Sequence, residues 1–394
     1  YNLDNSNPIA INEIVYLFID DKKINEAINF LTKMEYKDTP YSSRNWGHPW
    51  HSLCSYHGKL KPAIAHLLIK NFTKEGDRVL DPLSGVGTIP FEACLQNRIG
   101  LGSDLSKFAY FVTKAKVSTQ SKILERLDEL NKLIKESKDN YTGFEYKDFG
   151  LNGTINDYFE LETLKEILCL RQVFINKKIF DNIDFFIITC FLHILHGNRP
   201  YALSRNSHPL TPYFPKGDFN YKSVIEHIKN KVVLSFSKRD NYILKNGNAF
   251  NLDFRELNVK LLNGKVDAII TSPPFTNSFK FYTQNWMRLW LIGWEEQNFK
   301  EVDPRYLEIE QKYNLDIYYD FFKICYALLK NKGKLILHLG KNTSCDMAEE
   351  LSKRCEFYFN EIYRGEEYIG NIEKHGIKDK GATTDHQFLF LQKK

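Results

Sequence analysis

Two short segments hold the residue types and spacing from which chemistry could be built. Thr271-Ser272-Pro273-Pro274-Phe275 follows the apolar run at 266–270. Its two prolines fix the backbone and remove two N–H donors, which leaves carbonyls free to face a ligand. Ser272 can both donate and accept a hydrogen bond, and Phe275 offers a flat face. A carbonyl, a hydroxyl and an aromatic plane together suit a planar heterocycle that carries an amine. Standing alone, the segment also reads as a turn that ends a strand. The second segment, DPLSGVGT at 81–88, follows Arg78-Val79-Leu80 and opens a helix. Gly85 and Gly87 permit a tight turn and a close approach of backbone N–H groups to a ligand. The segment lacks both the dinucleotide GxGxxG spacing and a phosphate-loop lysine. Asp104 stands 23 residues after Asp81, at the end of the next strand, where an acid suits the hydroxyls of a ribose. The plainer reading is a glycine turn with a helix-capping acid. A third segment, LHLGKNTS at 337–344, lacks the upstream glycine of a phosphate loop and reads as a strand ending in a turn.

These segments need elements to hold them. Residues 11–35 carry a helical pattern, and 40–58 read as a loop rich in His, Ser, Tyr and Trp. Pro62 starts a helix to about 72. The stretch 77–106 reads strand, glycine turn, helix, strand, with a further helix over 106–117. Residues 118–240 change character: Ile123, Leu127, Leu130 and Ile134 share one helical face, and helices are predicted over 159–173, 180–196 and 220–236. Strands resume at 242–244 and 266–270, helices follow at 278–292 and 315–330, and the chain closes with strands in GKLILHLG, EFYFNEIYRG and DHQFLFLQ around a helix at 344–354. Alternating strands and helices predict a doubly wound α/β sheet. The last two strands have no crossover helix between them, so an antiparallel pair is expected at one sheet edge. The implied division is an N-terminal helical segment (1–45), a first core part (46–117), a helical insertion (118–240) and a second core part (241–394).

The 394 residues carry 43% hydrophobic and 26% charged side chains with a net charge of +5. This fits a globular protein and permits a nucleic-acid partner without demanding one. No apolar run reaches membrane-span length, so no membrane association is expected, and the N-terminus lacks a signal-peptide pattern. Seven cysteines form no CxxC pair, which points to reduced cytosolic thiols and no metal site.

DPLSGVGT followed downstream by TSPPF resembles the S-adenosylmethionine-dependent amino-methyltransferases of DNA. The first matches their cofactor loop, usually DPFxGxGT, and the second their (D/N/S)PP(Y/F) tetrapeptide. Serine first in that tetrapeptide is commonest among the cytosine-N4 enzymes. HSLCSYHGKLKPAIAHLLI (51–69) and GNAFNLD (247–253) resemble the flanking cofactor segments. The resemblance covers roughly 46–116 and 241–394. It implies a Rossmann-like class I methyltransferase sheet with a terminal antiparallel hairpin, plus the helical insertion. It implies S-adenosylmethionine as cofactor, held by Asp81, Pro82, Ser84, Gly85, Gly87 and Thr88 of the loop, by Asp104 and Leu105 at the ribose, and by Asn248, Ala249 and Phe250 at the adenine. Tyr56 and Lys59 would meet the methionine carboxylate, although Lys59 reads equally as a surface residue. Ser272 and the Pro273 carbonyl would accept hydrogen bonds from a base amine, with Pro274 completing the turn and Phe275 stacking on the base.

The implied activity is methylation of cytosine N4 in double-stranded DNA within a prokaryotic cytoplasm, with a cognate restriction endonuclease as a further partner. Adenine N6 in DNA and an RNA base amine are the alternatives. No cysteine follows a proline, which argues against methylation at cytosine C5. A basic block at 199–239 carries the candidate nucleic-acid contacts Arg199, Tyr201, Arg205, His208 and Lys216, or else is a structural loop with a solvated helix face. The family often carries its recognition region elsewhere, so this block departs from its pattern. Trp286, Trp290 and Trp294 lie on one helical face and read as core.

Overall fold

Short runs of buried apolar residues form the strands on which both chemical segments end. The computed structural model describes residues 21–43, 46–56, 58–118, 122–141, 149, 153–197, 200–206, 214–236, 247–277, 280–369 and 383–394. Seven strands build the sheet: β1 (Arg78–Asp81), β2 (Ile99–Ser103), β3 (Asn248–Phe250), β4 (Val266–Thr271), β5 (Leu329–Asn342), β6 (Phe359–Tyr368) and β7 (Asp385–Lys393). They lie in the order β3-β2-β1-β4-β5-β7-β6, and a two-residue strand, Cys345–Asp346, pairs with the end of β5. The first five are parallel, while β7 runs antiparallel to both β5 and β6. This is the Rossmann-like sheet with a terminal antiparallel hairpin that the sequence predicts. The strand at 242–244 lies outside the described residues.

Strand order reverses between β1 and β4, and a doubly wound sheet opens its ligand crevice at such a point, beyond the carboxyl ends of the strands. Both chemical segments leave the sheet there. The strands read as near-continuous apolar runs because helices cover both faces. On one face α9 (Ile317–Leu328) and α10 (Met347–Cys355) pack on Leu80, Ile269, Leu337 and Leu339. On the other, α1 (Asp21–Lys33) and α2 (Pro62–Phe72) cover Val79, Ile270, Ile336 and Phe390.

The helices α3 (Thr88–Leu95) and α4 (Lys107–Val117) flank the cofactor loop and share a hydrophobic core with the insertion. That insertion supplies α5 (Ile123–Ser137), α6 (Leu161–Asn176), α7 (Asn182–Ile194) and α8 (Val224–Phe236). The predicted face Ile123, Leu127, Leu130 and Ile134 is buried in it. Asp181 starts α7 with a capping box completed by Asp184. Trp286 and Trp290 are fully buried in the same core. Each contributes about 200 Å² of apolar area, roughly 5 kcal/mol before entropy is subtracted. The single helix expected over 278–292 is instead two short helices, Phe281–Gln284 and Trp286–Leu291. Asn285 separates them with a non-helical backbone (φ −112°, ψ 19°).

All seven cysteines are free. No described helix is long and apolar enough to cross a membrane, and no described cluster of His, Cys, Asp and Glu could hold a metal ion.

Gly100 allows α3 to lie directly on β2. A Cβ built there would stand 1.9 Å from the Pro90 carbonyl oxygen, a backbone atom that cannot swing aside. Gly100→Ala is expected to cost about 2–3 kcal/mol, seen as a lowered urea midpoint.

Candidate active site

The loop after β1 is shaped by two left-handed glycines, Gly85 (φ +48°) and Gly87 (φ +72°). At Gly87 an added Cβ would meet Thr113 at 2.7 Å, so conformation and space both require glycine. Three groups hold the loop from below. The Gly85 N–H donates to Asp104 Oδ2 (2.8 Å), the Thr113 hydroxyl donates to the Gly85 carbonyl (3.0 Å), and the buried Lys116 ammonium donates to the Val86 carbonyl (2.7 Å). The Ser106 N–H supplies a second donor to Asp104, at Oδ1 (2.8 Å). Asp104 therefore fixes the loop, and each of its oxygens keeps a lone pair for a ligand. Burial raises its pKa to about 6 despite those two N–H groups. Ser84 Oγ is buried with no hydrogen-bond partner among the described residues. An orphaned hydroxyl inside a glycine cradle fits a polar ligand group.

Asp81 ties this loop to the second segment. Its Oδ1 accepts the Thr271 hydroxyl at 2.6 Å and the Leu83 N–H at 3.2 Å. The side chain is 4% exposed, and burial lifts its pKa to about 7. Thr271 is the last residue of β4, so Ser272-Pro273-Pro274-Phe275 starts one residue from the cofactor strand. Gln311 Nε2 donates to the carbonyls of Pro274 (2.9 Å) and Phe275 (3.3 Å), the two that follow Pro273. Asn342 Nδ2 holds Thr276 through its carbonyl (3.2 Å) and hydroxyl (3.1 Å). Phe275 rests over Gly340 of β5, where a Cβ would stand 2.5 Å from the ring. Ser272 Oγ lies 3.0 Å from His338 Nδ1.

Other predicted contacts divide. Tyr56 stacks on Phe281 (5.4 Å between centroids, 7° between planes) and stands beside Gly85 of the loop. The Lys59 ammonium donates to the His51 carbonyl at 2.7 Å. Asn248 lies farther along β3 from the loop than Phe250 does. It pairs with Leu101, two positions back from the carboxyl edge, and its Oδ1 accepts from Lys114 Nζ and the Ala249 N–H. Phe250 pairs with Ser103 at the edge itself, and Asn251 Nδ2 donates to the carbonyls of Asp104 (3.0 Å) and Leu105 (2.9 Å).

Among the nucleic-acid candidates, Arg199 and His208 lie outside the described residues. Tyr201 is stacked on His193, with its hydroxyl 3.2 Å from Nε2. The Arg205 guanidinium donates to the carbonyls of Gly217 (2.7 Å) and Asp157 (3.0 Å) and covers the Phe219 ring. Both side chains are thus occupied in holding their own loop. Lys216 is exposed.

Glu308 and Tyr306 were not singled out in the sequence. Glu308 Oε1 is buried without a partner, and burial, with Asp104 adding a smaller repulsion, raises its pKa to about 7. Tyr306 is held above its usual range by burial and then by Asp104. Both come from a polar stretch some 30 residues past the tetrapeptide with no motif to mark them.

The profile of a family described as "RMKL-like, methyltransferase domain" matches residues 49–150, the part that carries the cofactor loop. This part of the chain is similar to a methyltransferase domain, for which S-adenosylmethionine is the methyl donor. Comparison with curated proteins gives no match. Among solved structures, TrmN from Thermus thermophilus is 14% identical over 86% of this chain and 50% of its own, with a TM-score of 0.32. The rRNA methyltransferase aviRa from Streptomyces viridochromogenes is 9% identical over 90% and 94%, with a TM-score of 0.37. An rRNA methylase from Streptococcus thermophilus is 9% identical over 85% and 97%, with a TM-score of 0.31. This chain thus spans half the length of TrmN, and the fold assignment rests on the strand order rather than on these scores.

S-adenosylmethionine supplies an electrophilic methyl group on a sulfonium. For this cofactor, Asp104 would take the ribose hydroxyls on its remaining lone pairs, and Ser84 and the Gly85–Gly87 turn would line the rest of the site. Hydroxyl donors favour the ionised carboxylate, so cofactor affinity should rise with pH through about 6, the pKa of Asp104. Asp104→Asn would set an amide N–H against a loop N–H. It should weaken S-adenosylmethionine binding about 10–100-fold and flatten that pH dependence, as read by calorimetric titration between about pH 5 and 8.

Proposed function

We propose that the protein is a methyltransferase that transfers a methyl group from S-adenosylmethionine to an exocyclic amine of a nucleic-acid base. The observation that carries this reading is the Thr271–Asp81 hydrogen bond, which holds the SPPF turn against the cofactor strand. An amine conjugated to a ring is a poor nucleophile, because its lone pair is delocalised. The Ser272 hydroxyl oxygen and the Pro273 carbonyl would accept its two N–H groups and hold the nitrogen in line with the sulfonium methyl. Phe275 would flank the ring. Fixing that geometry supplies much of the acceleration. In a duplex the base must first be flipped out of the stack.

Two substrate classes suit this site. One is an RNA base, the class named for two of the solved structures above. The other is cytosine N4 in double-stranded DNA, which serine at the head of the tetrapeptide favours through its resemblance; that reading brings an endonuclease partner with it. Lys216 is the described cation of the basic block left exposed for a phosphate.

The test is incubation with tritiated S-adenosylmethionine and, separately, total RNA and unmethylated genomic DNA, followed by mass-spectrometric identification of the labelled nucleoside. Label on an exocyclic nitrogen is expected. Label on a ring carbon or ribose, or in neither substrate, refutes the proposal. Ser272→Ala should lower kcat about 10–100-fold while leaving the Kd for S-adenosylmethionine unchanged.

A further inference from the structure

His338 lies on β5 between β4 and β7. Thr271 pairs with Leu337, which brings Ser272 level with His338. Their side chains meet at 3.0 Å between Ser272 Oγ and His338 Nδ1. The imidazole is 5% exposed, and its Nε2 has no hydrogen-bond partner among the described residues. Phe275, Phe388 and His386 enclose it, with ring centroids at 5.6, 5.0 and 4.9 Å. Burial, with His386 nearby, keeps the ring neutral, its pKa well below the usual value.

A neutral imidazole has one N–H and one acceptor nitrogen. With the proton on Nδ1, the ring would donate to Ser272, and the serine hydroxyl would have to point its own proton elsewhere, toward the substrate. That polarity opposes an amine whose N–H groups must be accepted. With the proton on Nε2, Nδ1 accepts the Ser272 O–H, and both serine lone pairs face the crevice.

We propose that His338 is a positioning residue for methyl transfer: its Nδ1 accepts the hydrogen bond of the Ser272 hydroxyl and so fixes Ser272 as an acceptor toward the substrate amine. This rests on the amino-methyltransferase reading given above. The role belongs to one ring nitrogen, so substitutions can be chosen by geometry. Asn places an amide oxygen near the position of Nδ1, whereas Gln reaches toward that of Nε2. Leu fills the space and accepts nothing.

Activity is measured on whichever of total RNA or genomic DNA takes label, with kcat, KM and the cofactor Kd determined separately. His338→Leu and His338→Gln should each lower kcat about tenfold or more, with the Kd for S-adenosylmethionine held within about twofold. His338→Asn should restore most of the lost kcat. The double variant Ser272→Ala/His338→Leu should be no slower than Ser272→Ala alone, because the two side chains act as one unit. Equal losses from His338→Leu in both backgrounds, or Asn no better than Gln, would overturn the proposal. If His338→Leu fails to fold, the Asn–Gln pair still decides it. A fully active Ser272→Ala would instead sink the tetrapeptide reading itself.

An activity-independent readout uses protein labelled with ¹⁵N-histidine. His338 is expected as the Nε2–H tautomer, with an Nδ1 shift that moves in Ser272→Ala. A protonated Nδ1 contradicts the inference even if neither nucleic acid accepts a methyl group.

Discussion

The hydrogen bond from the Thr271 hydroxyl to Asp81 joins the two strands on which the active site depends. β1 and β4 are neighbours, but their register pairs run only through Val79–Ala268 and Leu80–Ile269. The paired register ends there, and beyond it a side-chain hydrogen bond joins the two strands. Asp81 and Thr271 do this from buried positions. The glycine loop and the tetrapeptide are therefore joined by a short buried side-chain contact as well as by the sheet ladder. Everything farther out is tied to this junction in turn: Gly85 through Asp104, Ser272 through His338, and Pro274 through Gln311.

The insertion contributes to the same rigidity from behind. Its helices do not form a separate core; Leu168, Phe186 and Ile228 lie in one cluster with Phe91 and Val112 of the helices under the glycine loop. Arg288 reinforces the join. Its guanidinium reaches the Leu192 carbonyl at 3.1 Å and the Ser55 carbonyl at 2.8 Å, linking the helix after the tetrapeptide to α7 and to the segment that carries Tyr56. Burying an arginine is costly unless its donors are met, and here backbone carbonyls meet them. Any movement of the insertion on binding nucleic acid would be felt by Tyr56 and the loop through this side chain.

How much of this was legible in the sequence follows from which forces are local. The strand–glycine–helix unit at 78–95 and the strand ending in TSPPF were readable because conformation there is dictated by residues a few positions apart: two left-handed glycines, two prolines and a buried run. The face of α5 was readable for the same reason, its burial following a 3.6-residue period. The break at Asn285 was not, because apolar periodicity continues across it while the backbone does not. Lys59 meets the nearby His51 carbonyl, and Asn248 meets Lys114, 134 residues before it in the chain; neither contact is announced by a motif. His338 was hidden by its setting. A single histidine in GKLILHLG looks like strand filling, and its meaning comes only from Ser272, 66 residues earlier. Gly340 was hidden likewise, since the ring it accommodates belongs to Phe275.

Electrostatics give the site a second constraint. Asp81, Asp104 and Glu308 share a desolvated region, and each is raised above its usual range, chiefly by burial. For Asp81, the folded value of about 7 lies above the unfolded value near 4. The folded state then holds a proton that the unfolded chain has released. This group's contribution to stability is full below about pH 4, falls as pH rises through about 7, and is flat beyond. A protein has no reason to keep such a cost for folding alone; Asn at 81 could accept the Thr271 hydroxyl without it. A cationic ligand reverses the sign of the argument, since a sulfonium or ammonium within a few ångströms lowers the cost of ionising each acid. A positively charged ligand would thus ease the ionisation of these buried acids, and a product that has given up its sulfonium charge would ease it less.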